Sequence, residues 1–262
     1  MSIYNRIQRK VASYFKGFPS AYIALRGCSY ASLGTPENRV IRSDLLRSLS
    51  LQLHNVLDQG SLPVKLYIDK QGVYADVSGV LLSVELTDRY FKSPSGKNEA
   101  EDLVAVLDKF AITPTTILDI GANFGEISLY LAKNYPEASI FAIEASEENF
   151  TVLKKNISIQ NFNVDKIVTI NVALSDTEKE LSFTKNLGSE NSFVEYSPYA
   201  TFEYTKVNAV PLRKIINDQN YKIYSVDFVK IDIEGSEPLL ANDLAELSPR
   251  ALYIEIGSKK YH

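Results

Sequence analysis

The sequence is poor in cysteine and histidine and has no long apolar run. A single cysteine, Cys28, excludes a disulfide within the chain and a cysteine-rich zinc site. No apolar run approaches the roughly 18 residues that a membrane-spanning helix requires, and the first residues lack the pattern of a secretory signal. These absences predict a cytoplasmic protein. Only two histidines, His54 and His262, are available as proton acceptors.

The chain is mildly acidic, with a formal net charge of −4. A protein of this charge is a poor general binder of phosphate backbones, so we expect no nucleic-acid partner. Its 262 residues, of which 45% are hydrophobic, are enough for one large domain or for one domain with a substantial extension.

Residues 1–16 carry basic residues and no acidic ones, with apolar side chains at helical spacing. This pattern is typical of a helix that contacts a membrane surface peripherally, and also of a helix docked on its own domain. One apolar stripe is what any docked helix needs, which favours the second interpretation. A further helix is predicted over residues 43–58, where His54 lies beside the apolar stripe at a packing position.

Residues 64–91 are predicted to form a β-hairpin or small sheet, because apolar and polar residues alternate on both sides of a Ser-Gly turn at 78–79. A loop is predicted at 93–96, where proline, glycine and serine cluster. We place a boundary there, between an N-terminal helical and β-hairpin extension over residues 1–97 and a main domain over residues 98–262.

After the boundary, short apolar strands alternate with helices, which indicates an α/β domain with a mostly parallel sheet covered on both faces. The predicted strands are 116–120, 139–143, 167–171, 228–233 and 251–256. The predicted helices are 98–110, 124–134, 147–160 and 237–247. The stretch from 172 to 227 is predicted to be irregular.

The first of these strands ends at Asp119 and turns through Gly121 and Asn123 into a helix that follows Gly125. Glycine allows the backbone to approach a ligand closely, and open α/β sheets bind ligands at the carboxyl ends of their strands. The helix N-terminus adds unpaired N–H groups that suit a carboxylate. The second strand ends in Glu144, whose carboxylate is able to accept hydrogen bonds from both hydroxyls of a ribose. The two strand ends together predict a site for a nucleoside-like ligand.

Enzymes that bind a dinucleotide use the same geometry, with the fingerprint G-x-G-x-x-G. Here Asn123 stands in place of the second glycine and Glu126 in place of the third. A pyrophosphate would therefore meet a side chain and a negative charge. S-adenosylmethionine, which has no pyrophosphate, is favoured over a nicotinamide cofactor.

The fourth strand places two carboxylates, Asp232 and Glu234, at its carboxyl end beside Gly235. In a doubly wound sheet this end adjoins the first strand, so both carboxylates are expected to face the group that is transferred. The alternative is a helix cap formed by Asp232 or Ser236.

Several segments combine these features in order along the chain. They are Leu118–Gly125, Glu144–Phe150, Leu153–Ile157 with Asn161, Asn171–Asp176 and Lys230–Glu237. In this series, within residues 98–257, the chain resembles the FkbM family of S-adenosylmethionine-dependent methyltransferases. The resemblance implies a Rossmann-like class I methyltransferase fold.

The resemblance also implies O-methylation of a hydroxyl on a sugar, a polysaccharide or a secondary metabolite, so that the expected partner is a small-molecule or carbohydrate acceptor. The residues that we predict at the cofactor are Asp119, Gly121, Ala122, Asn123, Phe124, Gly125, Glu144, Ala145, Ala173 and Asp232. Of these, Ala173 is expected against the adenine and Asp232 near the methyl group. Class I methyltransferases usually add two more strands, whereas this sequence ends just after the fifth predicted one. We therefore expect a truncated chain or an abbreviated sheet.

A hydroxyl acceptor has to lose its proton, and neither histidine lies in the core segments that carry the resemblance. We therefore assign Asp232 or Glu234 as the catalytic proton acceptor. A divalent cation held by these two residues and Glu255 is an alternative that we favour less, so no metal is predicted.

Three other functions stay open. A methyltransferase acting on nucleic acid is disfavoured by the acidic charge. It is also disfavoured by the Asp-Ile-Glu-Gly sequence at 232–235, which differs from the Asn-Pro-Pro-aromatic sequence of enzymes that methylate base amines. The others are a catalytically inactive scaffold of methyltransferase fold and a nicotinamide-dependent dehydrogenase. The 189–192 region, which precedes several aromatic residues, is interpreted either as a loop that closes over a sugar or as a plain surface connection. No oligomeric state is predicted.

Overall fold

The computed structural model describes residues 65–69, 72–77, 79–83, 99–185, 192–197 and 203–255. The chain divides into two compact units, residues 1–98 and 99–262. Each unit contains its own β-structure.

The first unit contains an antiparallel sheet of three strands, β1 (Lys65–Asp69), β2 (Gly72–Val77) and β3 (Val80–Ser83), with β2 in the middle. Val77 pairs with Val80, so β2 and β3 form a hairpin whose turn includes Gly79. Gly79 in this turn has a φ of 79°, a conformation that glycine adopts without strain. The predicted hairpin is confirmed.

The helices predicted over residues 1–16 and 43–58 and the loop predicted at 93–96 lie outside the described residues, as do His54 and His262. Within the part of the chain that the structure describes, no helix has both the length and the apolar character needed to cross a membrane.

The second unit is built on two sheets and the helices that cover them. The large sheet contains β4 (Thr116–Ile120), β5 (Ser139–Glu144), β6 (Ile167–Asn171), β10 (Phe228–Ile231) and β11 (Ala251–Ile254). The small sheet contains β7 (Ala173–Leu174), β8 (Lys179–Lys185) and β9 (Glu203–Val210). The helices are α1 (Glu99–Lys109), α2 (Glu126–Asn134), α3 (Glu147–Ser158), α4 (Leu212–Ile216) and α5 (Ala241–Leu247), with a 3₁₀ helix at Glu237–Leu240 before α5.

All strands of the large sheet are parallel, in the order β11-β10-β4-β5-β6. Helices cover both faces, because the central strands are almost continuously apolar. On one face, Ile117 of β4 clusters with Leu103 of α1 and Leu131 of α2. On the other face, Leu118 of β4 clusters with Leu212 of α4. This architecture confirms the predicted α/β fold class.

The order of the strands reverses between β4 and β10. The next two strands in the chain, β5 and β6, lie on one side of β4, whereas β10 and β11 lie on the other side. The carboxyl ends of β4 and β10 are therefore adjacent at a topological switch point, where open α/β sheets form ligand sites.

Two predicted boundaries shift at this switch point. The helix predicted from residue 124 begins at Glu126, because Gly125 has a φ of 85° and is not helical. The strand predicted over 228–233 ends at Ile231, before a turn in which Glu234 has a φ of 53°. The helix predicted over 237–247 is a 3₁₀ helix up to Leu240 and an α-helix only from Ala241. The remaining strands and helices predicted after residue 97 agree with the observed ones to within two residues.

The stretch from 172 to 227 was predicted to be irregular, and this prediction is wrong. It contains the small sheet, in the order β7-β9-β8, and helix α4. β8 and β9 pair antiparallel over seven positions, from Lys179 opposite Ala209 to Lys185 opposite Glu203. Most side chains of β9 are exposed, and polar residues occupy successive positions. The period-two alternation that marks a half-buried strand is therefore absent from the sequence.

We expect burial to decide the cost of truncating leucines in the large sheet. Leu118 in the central strand is fully buried, whereas Leu252 in β11 is 45% exposed. Leu118→Ala should lower the free energy of unfolding by about 2–5 kcal/mol, because it leaves a cavity in the core. Leu252→Ala, the matched control, should cost less than about 1 kcal/mol. Urea denaturation followed by circular dichroism measures both, and equal costs would contradict the packing described here.

Candidate active site

A pocket opens at the carboxyl ends of β4, β5 and β10. Of the residues predicted from the sequence, those that line it are Gly121, Asn123, Glu144, Ala145, Ala173, Asp232 and Glu234. The lining thus combines segments that are far apart in the chain. Residues predicted from two different strand ends, and both predicted catalytic carboxylates, meet at one cavity.

The turn after β4 touches the turn after β10. Gly121 has a φ of 77°, and a Cβ placed on it would lie 1.8 Å from the backbone oxygen of Asp232. Only a residue without a side chain fits at this distance. The N–H groups of Gly121 and Ala122 both donate to the carbonyl of Ile143, at 2.9 Å each. The turn after β4 is therefore held by β5 on one side and packed against the β10 turn on the other.

Glu144 holds the same turn from the end of β5. Its Oε2 accepts the N–H of Asn123 at 2.8 Å and its Oε1 accepts the N–H of Ser146 at 2.7 Å. Each oxygen keeps a second lone pair, so the carboxylate is still able to accept ribose hydroxyls. Burial raises the pKa of the Glu144 carboxyl to about 7, although the two N–H donors and the charge of Lys230 oppose the shift.

Asp119 does not line the pocket but lies directly behind the turn. It is fully buried, and its Oδ2 accepts the hydroxyl of Ser128 at 2.5 Å. Its Oδ1 lies 3.5 Å from Nζ of Lys230, a buried lysine of β10. Lys230 lies in the segment that carries the family resemblance, but the sequence predicted no role for it. Its signal was visible, because a lysine in the middle of an apolar strand requires a buried partner.

Three other predicted cofactor residues also lie behind the turn. Ala122 and Phe124 are buried, and the amide Nδ2 of Asn156 in α3 donates to the carbonyl of Phe124 at 2.8 Å. A Cβ on Gly125 would lie 2.3 Å from Cδ1 of Leu153 in α3. These residues shape the turn and dock α3 beneath it, whereas Asn123 faces the pocket. Their contact with a cofactor stays a prediction.

The small sheet supplies an apolar wall that sequence reasoning did not assign to the cofactor. Phe183 of β8 and Phe193 line the pocket beside Ala173, and their rings meet edge to face with centroids 5.9 Å apart. The 189–192 region, which precedes several aromatic residues, was predicted to be either a loop that closes over a sugar or a plain surface connection. Phe193 instead contributes to the wall of the pocket, whereas residues 189–191 lie outside the described part of the chain.

The turn after β10 carries both predicted catalytic carboxylates. Oε1 of Glu237 accepts the N–H groups of Ile233 and Gly235, at 3.2 and 3.0 Å. The hydroxyl of Ser236 donates to the carbonyl of Ile233 at 3.0 Å and makes no helix cap. Glu237 and Ser236 thus stabilise the turn through hydrogen bonds to its backbone. Asp232 and Glu234, both predicted from the sequence, line the pocket. This position differs from the alternative prediction, in which Asp232 or Ser236 caps a helix.

Among the described residues there is no group of three or more histidine, cysteine, aspartate or glutamate side chains able to hold a metal ion. Asp232, Glu234 and Glu255 all belong to the described part and do not form such a group.

The pocket suits a nucleoside with polar hydroxyls and an apolar base. Oδ1 of Asn123 is buried and has no hydrogen-bond partner, so it is ready to accept one. The Glu144 carboxylate lies beside it, and Phe183 and Phe193 form the apolar wall. A parallel α/β sheet with such a pocket at its switch point defines an enzyme class that binds a nucleoside-containing cofactor.

The profile of the methyltransferase FkbM domain matches residues 119–261, more than half of the chain. The chain therefore belongs to the FkbM family of methyltransferases. This result confirms the family inferred from the sequence and, with it, S-adenosylmethionine as the cofactor.

Similar proteins are also methyltransferases. Methyltransferase 1 of Beauveria bassiana (strain ARSEF 2860) is 21% identical over 183 residues, which cover 59% of this chain and 72% of that protein. A release factor glutamine methyltransferase of Flavobacterium psychrophilum is 33% identical over 82 residues, or 31% of this chain and 25% of that protein. The crystal structure of the N-terminal domain of human METTL16 in complex with SAH has a TM-score of 0.36 and 16% identity, over 80% of this chain and 68% of that one.

Glu126 changes one argument made from the sequence. This first residue of α2 is buried, and burial raises the pKa of its carboxyl to about 8. The carboxyl is therefore mostly protonated at neutral pH. The case against a pyrophosphate ligand accordingly depends on Asn123 rather than on a negative charge at position 126.

We expect Glu126→Gln to stabilise the protein at high pH. Because the folded-state pKa is raised from 4.5 to about 8, the native protein loses stability as the pH rises through this interval. The variant avoids this loss. Its advantage in unfolding free energy should grow between pH 5 and pH 9 to about 3 kcal/mol, at roughly 1.4 kcal/mol per pKa unit with allowance for relaxation. Glu147→Gln, at the exposed first position of α3, is the matched control. A pH-independent difference would contradict the burial of Glu126.

We expect Glu144→Ala to weaken binding of S-adenosylhomocysteine at least tenfold. The substitution removes the acceptor proposed for the ribose and leaves the N–H groups of Asn123 and Ser146 unpaired. Calorimetric titration measures the change, with the exposed Glu148→Ala in α3 as the control. An unchanged dissociation constant in a folded Glu144→Ala variant would show that Glu144 does not hold the cofactor.

Proposed function

We propose that this protein is an O-methyltransferase that transfers the methyl group of S-adenosylmethionine to a hydroxyl of a sugar, a polysaccharide or a secondary metabolite. The observation that carries the proposal is the position of Asp232. Its carboxylate is 30% exposed and lines the pocket where the turns after β4 and β10 meet.

When bound, S-adenosylmethionine would supply a methyl group on a positively charged sulfur. The acceptor oxygen would bond to the methyl carbon in line as the carbon–sulfur bond breaks, with neutral S-adenosylhomocysteine as the leaving group. The protein has to align the acceptor, exclude water and take up a proton. Alignment alone can supply about 7–11 kcal/mol of the barrier. The packed turns after β4 and β10 suit this task, because close backbone contact at Gly121 leaves them little freedom to move.

Asp232 is suited to accept the proton of the hydroxyl. Burial raises the pKa of its carboxyl above the usual value for aspartate, although Lys230 opposes the shift. A carboxylate with a raised pKa is a stronger base than one in water. In the proposed step the proton passes to an Oδ atom of Asp232 as the carbon–oxygen bond forms.

Glu234 is the second candidate for the same role. It lines the pocket two residues further along the turn, where its φ of 53° is unusual for a residue other than glycine. Strained backbone is maintained only where the surroundings enforce it, and it concentrates at functional sites. Glu237 contributes to holding this turn, because it accepts the N–H groups on both sides of Glu234, those of Ile233 and Gly235.

The composition of the site supports a neutral hydroxyl acceptor rather than nucleic acid. The net charge of the chain is −4, and the turn after β10 has two carboxylates at the pocket. Both features repel a phosphate backbone. The sequence at 232–235 also lacks the Asn-Pro-Pro-aromatic pattern of enzymes that methylate base amines.

The test is a screen of sugars, oligosaccharides and hydroxylated metabolites for release of S-adenosylhomocysteine. Once an acceptor is found, we expect Asp232→Asn or Glu234→Gln to lower kcat by about 10²–10⁴-fold, the usual contribution of a general base. Binding of S-adenosylhomocysteine should change little. Asp165→Asn and Glu246→Gln, at exposed positions, are matched controls.

Different outcomes would contradict different parts of the proposal. Full turnover by both variants would place the proton acceptor elsewhere. Methylation of nucleic acid alone would overturn the acceptor class. Cofactor binding without methylation of any acceptor would favour the catalytically inactive scaffold.

A further inference from the structure

Lys230 is the one lysine of β10, and its position in that strand is costly. The strand reads Phe-Val-Lys-Ile, and all four residues are buried. The Lys230 side chain is 3% exposed. An ammonium group taken out of water loses several kcal/mol of hydration, so it has to be paired with carboxylates and hydrogen-bond acceptors.

The partners of Lys230 lie on two different turns. Its Nζ donates to the carbonyl of Gly121 at 3.0 Å and lies 3.5 Å from Oδ1 of Asp119, at the end of β4. It also lies 3.8 Å from Oδ2 of Asp232, in the turn after β10. One cation therefore joins the two turns that form the floor of the cofactor pocket.

The charges around Lys230 keep it protonated. Burial by itself lowers the pKa of its ammonium group, but four carboxylates outweigh this effect and raise the pKa. In decreasing order of effect they belong to Asp119, Asp232, Glu99 of α1 and Glu144 of β5. Asp232 additionally faces Glu237. Among the described residues named here, Lys230 is the cation and the others are acidic.

We propose that Lys230 is a positioning residue that joins the turns after β4 and β10 and sets the net charge of the cofactor site. The cluster of Lys230, Asp119 and Asp232 carries one net negative charge, to which the neighbouring carboxylates of Glu99 and Glu144 add. This charge attracts the cationic sulfonium of the methyl donor but still allows the neutral thioether product to bind. The inference depends on the proposed function only for the identity of the methyl donor and not for the acceptor.

The two cofactor forms provide a test that separates charge from structure. S-adenosylmethionine and S-adenosylhomocysteine differ by one methyl group and one positive charge. Damage to the pocket weakens both, so the ratio of their dissociation constants stays constant. A change in the local charge alters the ratio, because only one of the two ligands is charged at sulfur.

The experiment is calorimetric titration of the full chain with each ligand at pH 8. In Lys230→Met the loss of the cation should shift the ratio at least fivefold toward S-adenosylmethionine. Lys230→Arg keeps the charge and should restore the wild-type ratio. At pH 6 the shift in Lys230→Met should shrink, because burial already raises the pKa of the Asp232 carboxyl and without the cation that carboxyl takes up a proton more readily.

Asp119→Asn provides an independent variant should Lys230→Met fail to fold. It removes one negative charge with almost no change in volume, and we expect it to shift the ratio in the opposite direction, toward S-adenosylhomocysteine. If wild type binds both ligands and the ratio is constant in every folded variant, Lys230 does not set the charge of the site. If wild type binds neither ligand, the proposed methyl donor is wrong, and this inference is overturned with it.

Discussion

The site depends on a contact between two pieces of backbone. The turn after β4 approaches the carbonyl of Asp232 so closely that a methyl group on Gly121 would overlap it. This contact exists because β4 and β10 are neighbours in the sheet although about 100 residues separate them in the chain. It joins the segment that shapes the cofactor pocket to the segment that carries the proposed proton acceptor.

Polar side chains around this contact form hydrogen bonds with backbone groups at the ends of the strands. The ends of parallel strands leave backbone N–H and carbonyl groups without partners in the ladder. Here Glu144 accepts one N–H group from the turn after β4 and one from the turn after β5, and Glu237 accepts two from the turn after β10. The ammonium of Lys230 satisfies a carbonyl of the β4 turn. Buried charges are costly, but paired in this way they fix the positions of turns that apolar side chains could not hold.

Sequence reasoning predicted the parts of the fold that repeat a simple pattern. Apolar strands such as 116–120 and 139–143 were found because burial on both faces leaves a continuous apolar run. Gly121 and Glu144 were predicted at the site because a glycine turn follows the first strand and an acidic residue ends the second, within one strand–helix–strand unit. The small sheet was missed because β9 is mostly exposed and shows no alternation. Phe183 of this small sheet lines the pocket because β8 pairs with β9. That pairing joins segments that are separated in the chain and cannot be predicted from local sequence. No role was predicted for Lys230, since its partners Asp119 and Gly121 lie more than 100 residues away in the chain.

The apolar wall of the pocket and the turns that carry the proposed reacting groups come from different parts of the chain. Phe183 and Phe193 come from the excursion between β6 and β10, whereas the turns that contact each other come from the large sheet. The shape of the wall can therefore be altered by substitutions in β8 or the segment around Phe193 without disturbing the strands that hold the reacting groups. The apolar side of the pocket and the turns with the proposed reacting groups therefore come from different segments. Substitutions on the apolar side can change which ligands fit there while the reacting groups stay in place.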